Sequence, residues 1–180
     1  MDAQTVLEQW QAEDRAARDR AAPQAGVVRR ELLAGQPGMA LFRAMLAGEV
    51  PRVAMAETLD FILVQCEPGH ATFLGRPSTR HYNPMGSVHG GWFAALLDSA
   101  LGCAVHSALP AGKAYTTLEM KINLTRALTD KVPLVRAEGR VIHLGSQTAT
   151  ADARLTGTDG KLYAHGSTTC LVFNLPSTTP

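Results

Sequence analysis

One stretch of the 180-residue chain limits what the rest can do. Asn83 to His106 reads NPMGSVHGGWFAALLDSALGCAVH. It opens with turn formers and a glycine pair, then runs apolar, interrupted once by a carboxylate, Asp98. Trp92, Phe93, Ala95, Leu96, Leu97, Ala100, Leu101, Ala104 and Val105 cover the whole circumference of a helix. A helix that is apolar all round is one that other elements enclose. Asp98 is therefore expected in a buried position, where a charge is costly unless it is paired or used.

The remaining chain supplies the wrapping. Before the helix, Thr58 to Cys66 and Ala71 to Gly75 read as two strands joined by a turn at Glu67-Pro-Gly-His70. After it, strands are expected over 114–124, 132–144, 148–156 and 162–173. Leu134, Arg136, Glu138 and Arg140 alternate with Val135, Ala137 and Val141, one face polar and one apolar. Thr158-Asp-Gly-Lys161 is a hairpin turn, and Gly145-Ser146 a bend or bulge. Two strands, a buried helix and four strands make an α+β fold, an antiparallel sheet wrapped around one long helix. We divide the chain into an N-terminal helical extension, 1–50, and a main domain, 51–175. The extension holds a helix to about residue 22, capped by Asp2 and packed through Trp10, with Glu13, Asp14 and Arg18 on its other faces. A second short helix, Met39 to Leu46, stops at Gly48. Pro176 to Pro180 reads as a frayed polar tail.

The order of residues within the central stretch suggests chemistry. The first amides of a helix have no intrahelical partner and carry partial positive charge, so they can hold an oxyanion. Gly90 and Gly91, without Cβ atoms, let a ligand approach them. Asp98 lies eight residues beyond Gly90, a rise of roughly 12 Å along a helix. Both groups would have to sit about 3 Å from one reacting carbonyl. Two copies of the chain solve this, Gly90 of one facing Asp98 of the other.

Asn83-x5-His89-Gly90-Gly91-x6-Asp98, followed by Thr117-Leu-Glu-Met-Lys-Ile-Asn-Leu124, resembles the signature of PaaI-like acyl-CoA thioesterases of the hotdog fold. The resemblance spans about Pro51 to Phe173. It implies that the Gly90 amide polarises the thioester carbonyl. Asp98 would act as general base or nucleophile across a dimer interface, and Thr117 would hold the water, with Thr116 beside it as a competitor. Asn83 and His89 would order the site. Gly91, Arg126, Gly145 and Ser146 are candidate contacts to substrate. Arg76 and Arg80 read either as solvated surface or as phosphate contacts. The implied partners are acyl-CoA and further copies of the chain, as a homodimer or a dimer of dimers. Two other readings stay open: a hotdog hydratase or dehydratase, and a ligand-binding protein without turnover.

Composition removes other classes. A net charge of +1 and 6% aromatic residues argue against a nucleic-acid surface. Cys66, Cys103 and Cys170 are scattered, so they read as reduced thiols, with no disulfide framework or zinc site. No cofactor is expected beyond the coenzyme A of the substrate, and no metal. The N-terminus shows no signal peptide, and no apolar run is long enough to span a bilayer. A cytoplasmic protein is expected.

Overall fold

The computed structural model describes residues 2–29 and 35–175; the expected polar tail lies outside them. Helix α1 (Ala3–Arg20) starts where the Asp2 carboxylate accepts the Thr5 amide at 2.9 Å. A short parallel pair, β1 (Ala25–Gly26) with β2 (Arg52–Val53), ties the extension to the start of the main domain. Helix α2 (Gly38–Ala47) ends at Gly48, whose φ of 75° is the left-handed turn that a Cβ would resist. A third helix, α3 (Ala54–Thr58), occupies the place where the sequence suggested the start of a strand. Asp60 then takes φ 56°, which breaks extended backbone, so β3 runs only from Phe61 to Glu67.

Strands β3, β4 (His70–Gly75), β5 (Lys113–Leu124), β6 (Val135–Leu144), β7 (Thr148–Gly157) and β8 (Leu162–Asn174) form one six-stranded antiparallel sheet. Their order is β3-β4-β6-β7-β8-β5, so β5 leaves the central helix and returns to the far edge. Helix α4 (Gly90–Ser107), about 27 Å long at 1.5 Å per residue, lies in the hollow of the sheet. Leu96, Leu97, Ala100, Leu101, Ala104 and Val105 lose all contact with solvent. Gly139 on β6 permits this close approach: a Cβ there would lie 2.2 Å from the Ala100 carbonyl oxygen.

The fold corrects one expectation about α4. The helix is not enclosed on every side by its own chain, and Asp98 is exposed. Gly91, Ala94, Ala95 and Asp98 share one stripe, at i, i+3, i+4 and i+7, that the sheet leaves at least partly open. Alanine and glycine count as apolar in a periodicity, yet too little of them projects to demand cover.

Helix α1 lies on the outer face of the sheet. Trp10 packs with Leu74 and Leu134, as the sequence suggested for a helix docked on its own domain. Two of its acidic residues, Glu13 and Asp14, are drawn into ion pairs with the sheet. Asp14 is wholly buried and pairs with Arg76 and Arg18, and Glu13 pairs with Arg136, whose guanidinium lies 4.8 Å above the Trp10 ring. Arg76 is thus committed to Asp14.

Three histidines, His70, His81 and His106, are held below the ordinary value of 6.5, chiefly because burial penalises the imidazolium. The unfolded chain therefore takes up protons first as pH falls below about 6.5, and stability drops until the lower folded values are passed. The urea midpoint is expected to fall between pH 7.5 and pH 5. His106→Phe, which keeps the edge contacts to Phe42 and Tyr115, is expected to reduce that fall. A midpoint flat over this range would refute the assignment.

Candidate active site

The loop leading into α4 is closed on itself. Asn83 Oδ1 accepts the amides of Met85 and Ser87 at 2.9 and 3.3 Å, and its Nδ2 donates to Ser87 Oγ at 3.1 Å. Asn83 is the turn former that its place before Pro84 suggested, and it also lines a recess at the start of α4. His81 fixes the other side of the loop: its carbonyl accepts the His89 amide at 2.8 Å, and its ring stacks on Trp92.

His89 is the N-cap of α4. Its Nδ1 accepts the Gly91 amide at 2.9 Å. An amide can only donate, so Nδ1 is unprotonated and a neutral His89 carries its proton on Nε2. The Gly91 amide is spent on this cap. The Gly90 amide, by contrast, has no acceptor among the described residues. It opens into a recess of about 300 Å3 lined by Asn83, Ser87, Phe93, Leu124 and Arg126, among others. Leu124 stands over Gly90 so closely that a Cβ on the glycine would lie 3.1 Å from its methyl group.

Asp98 lies eight residues along the same helix, out of reach of this recess's amide. Its Oδ1 accepts the Thr117 hydroxyl at 3.4 Å. Thr117 opposes the buried Cys170 on β8, so it faces inward to the helix, whereas Thr116 opposes the exposed Leu171 and faces out. Between Thr117 and Glu119 the register slips by a bulge at Leu118. Tyr115, two residues before Thr117, shares its inward face opposite Val172. Burial first, then the neighbouring Cys103 and Asp98, raises the Tyr115 hydroxyl above the usual tyrosine range. Burial also pushes the Cys66 thiol up to about 11, and Cys103 higher still, so neither is a ready nucleophile.

The site residues thus fall into two groups on one chain. Asn83, His89, Gly90, Leu124 and Arg126 gather at the helix start, and Asp98 with Thr117 lies two turns on. The Gly145–Ser146 bend does not join the first group. It precedes β7, whose Thr148 aligns through Leu171 with Thr116, near the end of β5 opposite to Leu124 and Arg126. Reasoning from sequence missed Leu124 as a wall of the recess and Tyr115 as a neighbour of Asp98. The alternation of β5 could have flagged both, but the bulge at Leu118 shifts its phase. Among the described residues no group of three His, Cys, Asp or Glu side chains could hold a metal, and no helix is long and apolar enough to cross a membrane.

Comparison with known proteins joins these observations. The thioesterase superfamily profile matches residues 85–164, from the closed loop through α4 and β5 into β8. A Pseudomonas aeruginosa protein provisionally named an esterase, PA1618, is 36% identical over 84 residues, 46% of this chain; the chain spans 57% of the length of that curated relative. The conserved protein PA5202 of Pseudomonas aeruginosa superposes with a TM-score of 0.62 at 31% identity, covering 67% of this chain and 94% of that one. A variant of the phenylacetic acid degradation protein PaaI from Thermus thermophilus does so with a TM-score of 0.58 at 27% identity, covering 65% of this chain and 96% of its own. With its sheet wrapped round α4 and its glycine-led helix start inside the matched segment, the chain belongs to the thioesterase superfamily, in the hotdog fold of its PaaI-like members.

Proposed function

We propose that the protein hydrolyses the thioester bond of acyl-coenzyme A in a site shared by two copies of the chain. The observation that carries this reading is the unpartnered Gly90 amide, aimed from a helix start into a recess, with Asp98 and Thr117 paired two turns further along the helix. The thioester carbonyl oxygen accepts the Gly90 amide of one copy, which stabilises the oxyanion that forms. Asp98 of the other copy takes a proton from a water held by Thr117. The resulting hydroxide adds to the carbonyl carbon. Collapse of the tetrahedral intermediate expels the coenzyme A thiolate, which recovers the proton from Asp98, leaving a carboxylic acid and a thiol. Arg126, at the rim of the recess, suits the phosphates of the coenzyme.

Two features support a second copy. The stripe of α4 that carries Asp98 is made of small residues and lies open. Strand β5 is a sheet edge with a free ladder side, and its Leu118 and Leu124 are 59% and 50% exposed. Two helices meeting on the open stripe, with paired β5 edges, would bring Gly90 of one towards Asp98 of the other. His89 speaks against the hydratase reading, because its only unprotonated nitrogen is already taken by Gly91.

The test is free-thiol release from a panel of acyl-CoAs, with sedimentation to determine the assembly. Thiol release by a dimer or a larger even-numbered assembly is expected. Full turnover by a monomer would overturn the shared site, and no release from any acyl-CoA would overturn the hydrolase.

A further inference from the structure

The N-terminal extension and the sheet edge at β3 leave a cavity between them. The ends of α1 and α2 meet here: Gly48, just past α2, packs so closely on the Arg20 carbonyl oxygen that a Cβ would lie 2.0 Å from it. The residues brought to this junction by the end of α1 and by α3 are small, Ala17, Ala21 and Ala56. They leave about 180 Å3 unfilled against Phe61, Leu63 and Phe73 of the sheet. Close-packed interiors keep few voids larger than a water molecule. An apolar cavity of about 150 Å3 takes up benzene, so this one has room for a chain of roughly six to eight carbons. It shares no lining residue with the recess at Gly90.

The polarity of the cavity is uneven. Ala17, Phe61, Leu63 and Phe73 are buried and form an apolar floor, whereas Arg20, Val53 and Glu57 reach solvent and mark the mouth. Its charged lining residues are Arg18, Arg20, Arg52 and Glu57, three cations against one anion. Arg52 is already engaged: its Nε donates to the Ala22 carbonyl at 2.8 Å, and its Nη2 to the Pro23 carbonyl at 3.0 Å and to Glu57 at 3.2 Å. Arg52 and Glu57 thus cancel. Arg20 makes no ion pair among the described residues. Arg18 donates through Nε to Asp14, and its Nη2 lies 2.9 Å from Asp60 Oδ1. Yet that Nη2 is buried and has no aligned hydrogen-bond acceptor among the described residues. A buried guanidinium N–H without an acceptor is costly, and an anion satisfies it best.

We propose that this cavity is a binding site for a small apolar carboxylate, its hydrocarbon on the floor of Phe61, Leu63 and Phe73 and its charge at Arg18 and Arg20. An apolar pocket with a few polar groups at one end is the usual form of a small-molecule site. The inference does not depend on the hydrolase reading, although the acid freed by thioester hydrolysis is a ligand of this class.

Calorimetric titration of the full chain tests it, with hexanoate as the main probe. One hexanoate per chain is expected. 1-Hexanol is expected to bind at least about tenfold more weakly, because hydrogen bonds to a charged group are the stronger kind. Hexylammonium is expected not to bind. Affinity is expected to rise about fourfold per methylene from butyrate to hexanoate and to level off by decanoate, as the cavity fills. Ala17→Leu fills the floor and is expected to weaken hexanoate at least about tenfold. Ala21→Leu fills the mouth with the same expected result, and serves if Ala17→Leu does not fold. Arg126→Gln, at the separate recess, is expected to bind hexanoate as the native protein does. No hexanoate binding by the folded native protein would overturn the site. So would an unchanged affinity in both filled variants, which would place the ligand elsewhere. Hexanol binding as tightly as hexanoate would overturn the role of the arginines, and a gain that continues through decanoate would overturn the enclosed floor. Thiol release enters none of these readouts, so each outcome leaves the hydrolase reading as it stands.

Discussion

Asp98→Asn is expected to lower thiol release from the best acyl-CoA by about a hundredfold or more, the usual scale for loss of a general base. The fold is expected to survive. Asp98 is exposed in the single chain, and an asparagine oxygen can still accept the Thr117 hydroxyl. Binding of acyl-CoA is also expected to persist, because the Gly90 amide and Arg126 are untouched. The loss would therefore appear in kcat, with KM little changed, as for a group whose work is done in the transition state. Both roles open to Asp98, base or nucleophile, need the ionised carboxylate, so the variant tests either. Turnover within tenfold of native, in a protein with native thermal midpoint, would remove Asp98 from the mechanism.

The second large effect is structural. Gly139→Ala places a methyl group 2.2 Å from the Ala100 carbonyl oxygen and 2.5 Å from its carbon. Both sides of this contact are backbone, so no side chain can turn aside. Either α4 lifts from the sheet or β6 buckles between its neighbours Ala71 and Ala153, which are themselves buried. Overpacking of this kind costs about 3 kcal/mol or more, a large share of the roughly 5–15 kcal/mol typical of a domain. Urea unfolding checks it, and a midpoint near native would mean that helix and sheet tolerate a wider separation.

Gly139 also shows why some of the fold is hidden in the sequence. It interrupts an alternation otherwise clear in Val135, Ala137 and Val141, and nothing local marks it as the point of closest approach. The strands themselves are legible, because inward and outward residues alternate and turn formers separate them. Their ends are less so: the left-handed Asp60 shortens β3 at a residue with no glycine to announce it. The pairing of Asp14 with Arg76 spans 62 residues, and that of Glu13 with Arg136 spans 123. No spacing rule reaches so far, and an acidic helix face reads as solvated until the sheet that it meets is known.

The candidate site divides in the same way. Gly90, His89 and Asn83 belong to one continuous stretch; the helix start and the turn follow from residue type, whereas the His89 cap is supplied by the structure. Choosing Thr117 over Thr116 needs the register with β8, which only the sheet supplies. The periodicity places Asp98 in a buried position, and the structure places it in an open one. The apolar count of α4 is sound, but the sequence carries no sign of which stripe the chain leaves for a neighbour.

The strand order has a consequence for synthesis. Among the described residues β5 has one ladder partner, β8, so residues 113–124 wait for it until 162–174 have been made. Likewise β4 waits for β6, across the whole of α4 and β5. A nascent chain that has emerged as far as β5 holds a complete apolar helix with only α2 and the β3–β4 hairpin to cover it. Folding dominated by such distant pairings is slow and leaves sticky surface uncovered meanwhile. Thr117 meets Asp98 only after the last strand closes on β5, so the proposed half-site is among the final contacts that a newly made chain completes.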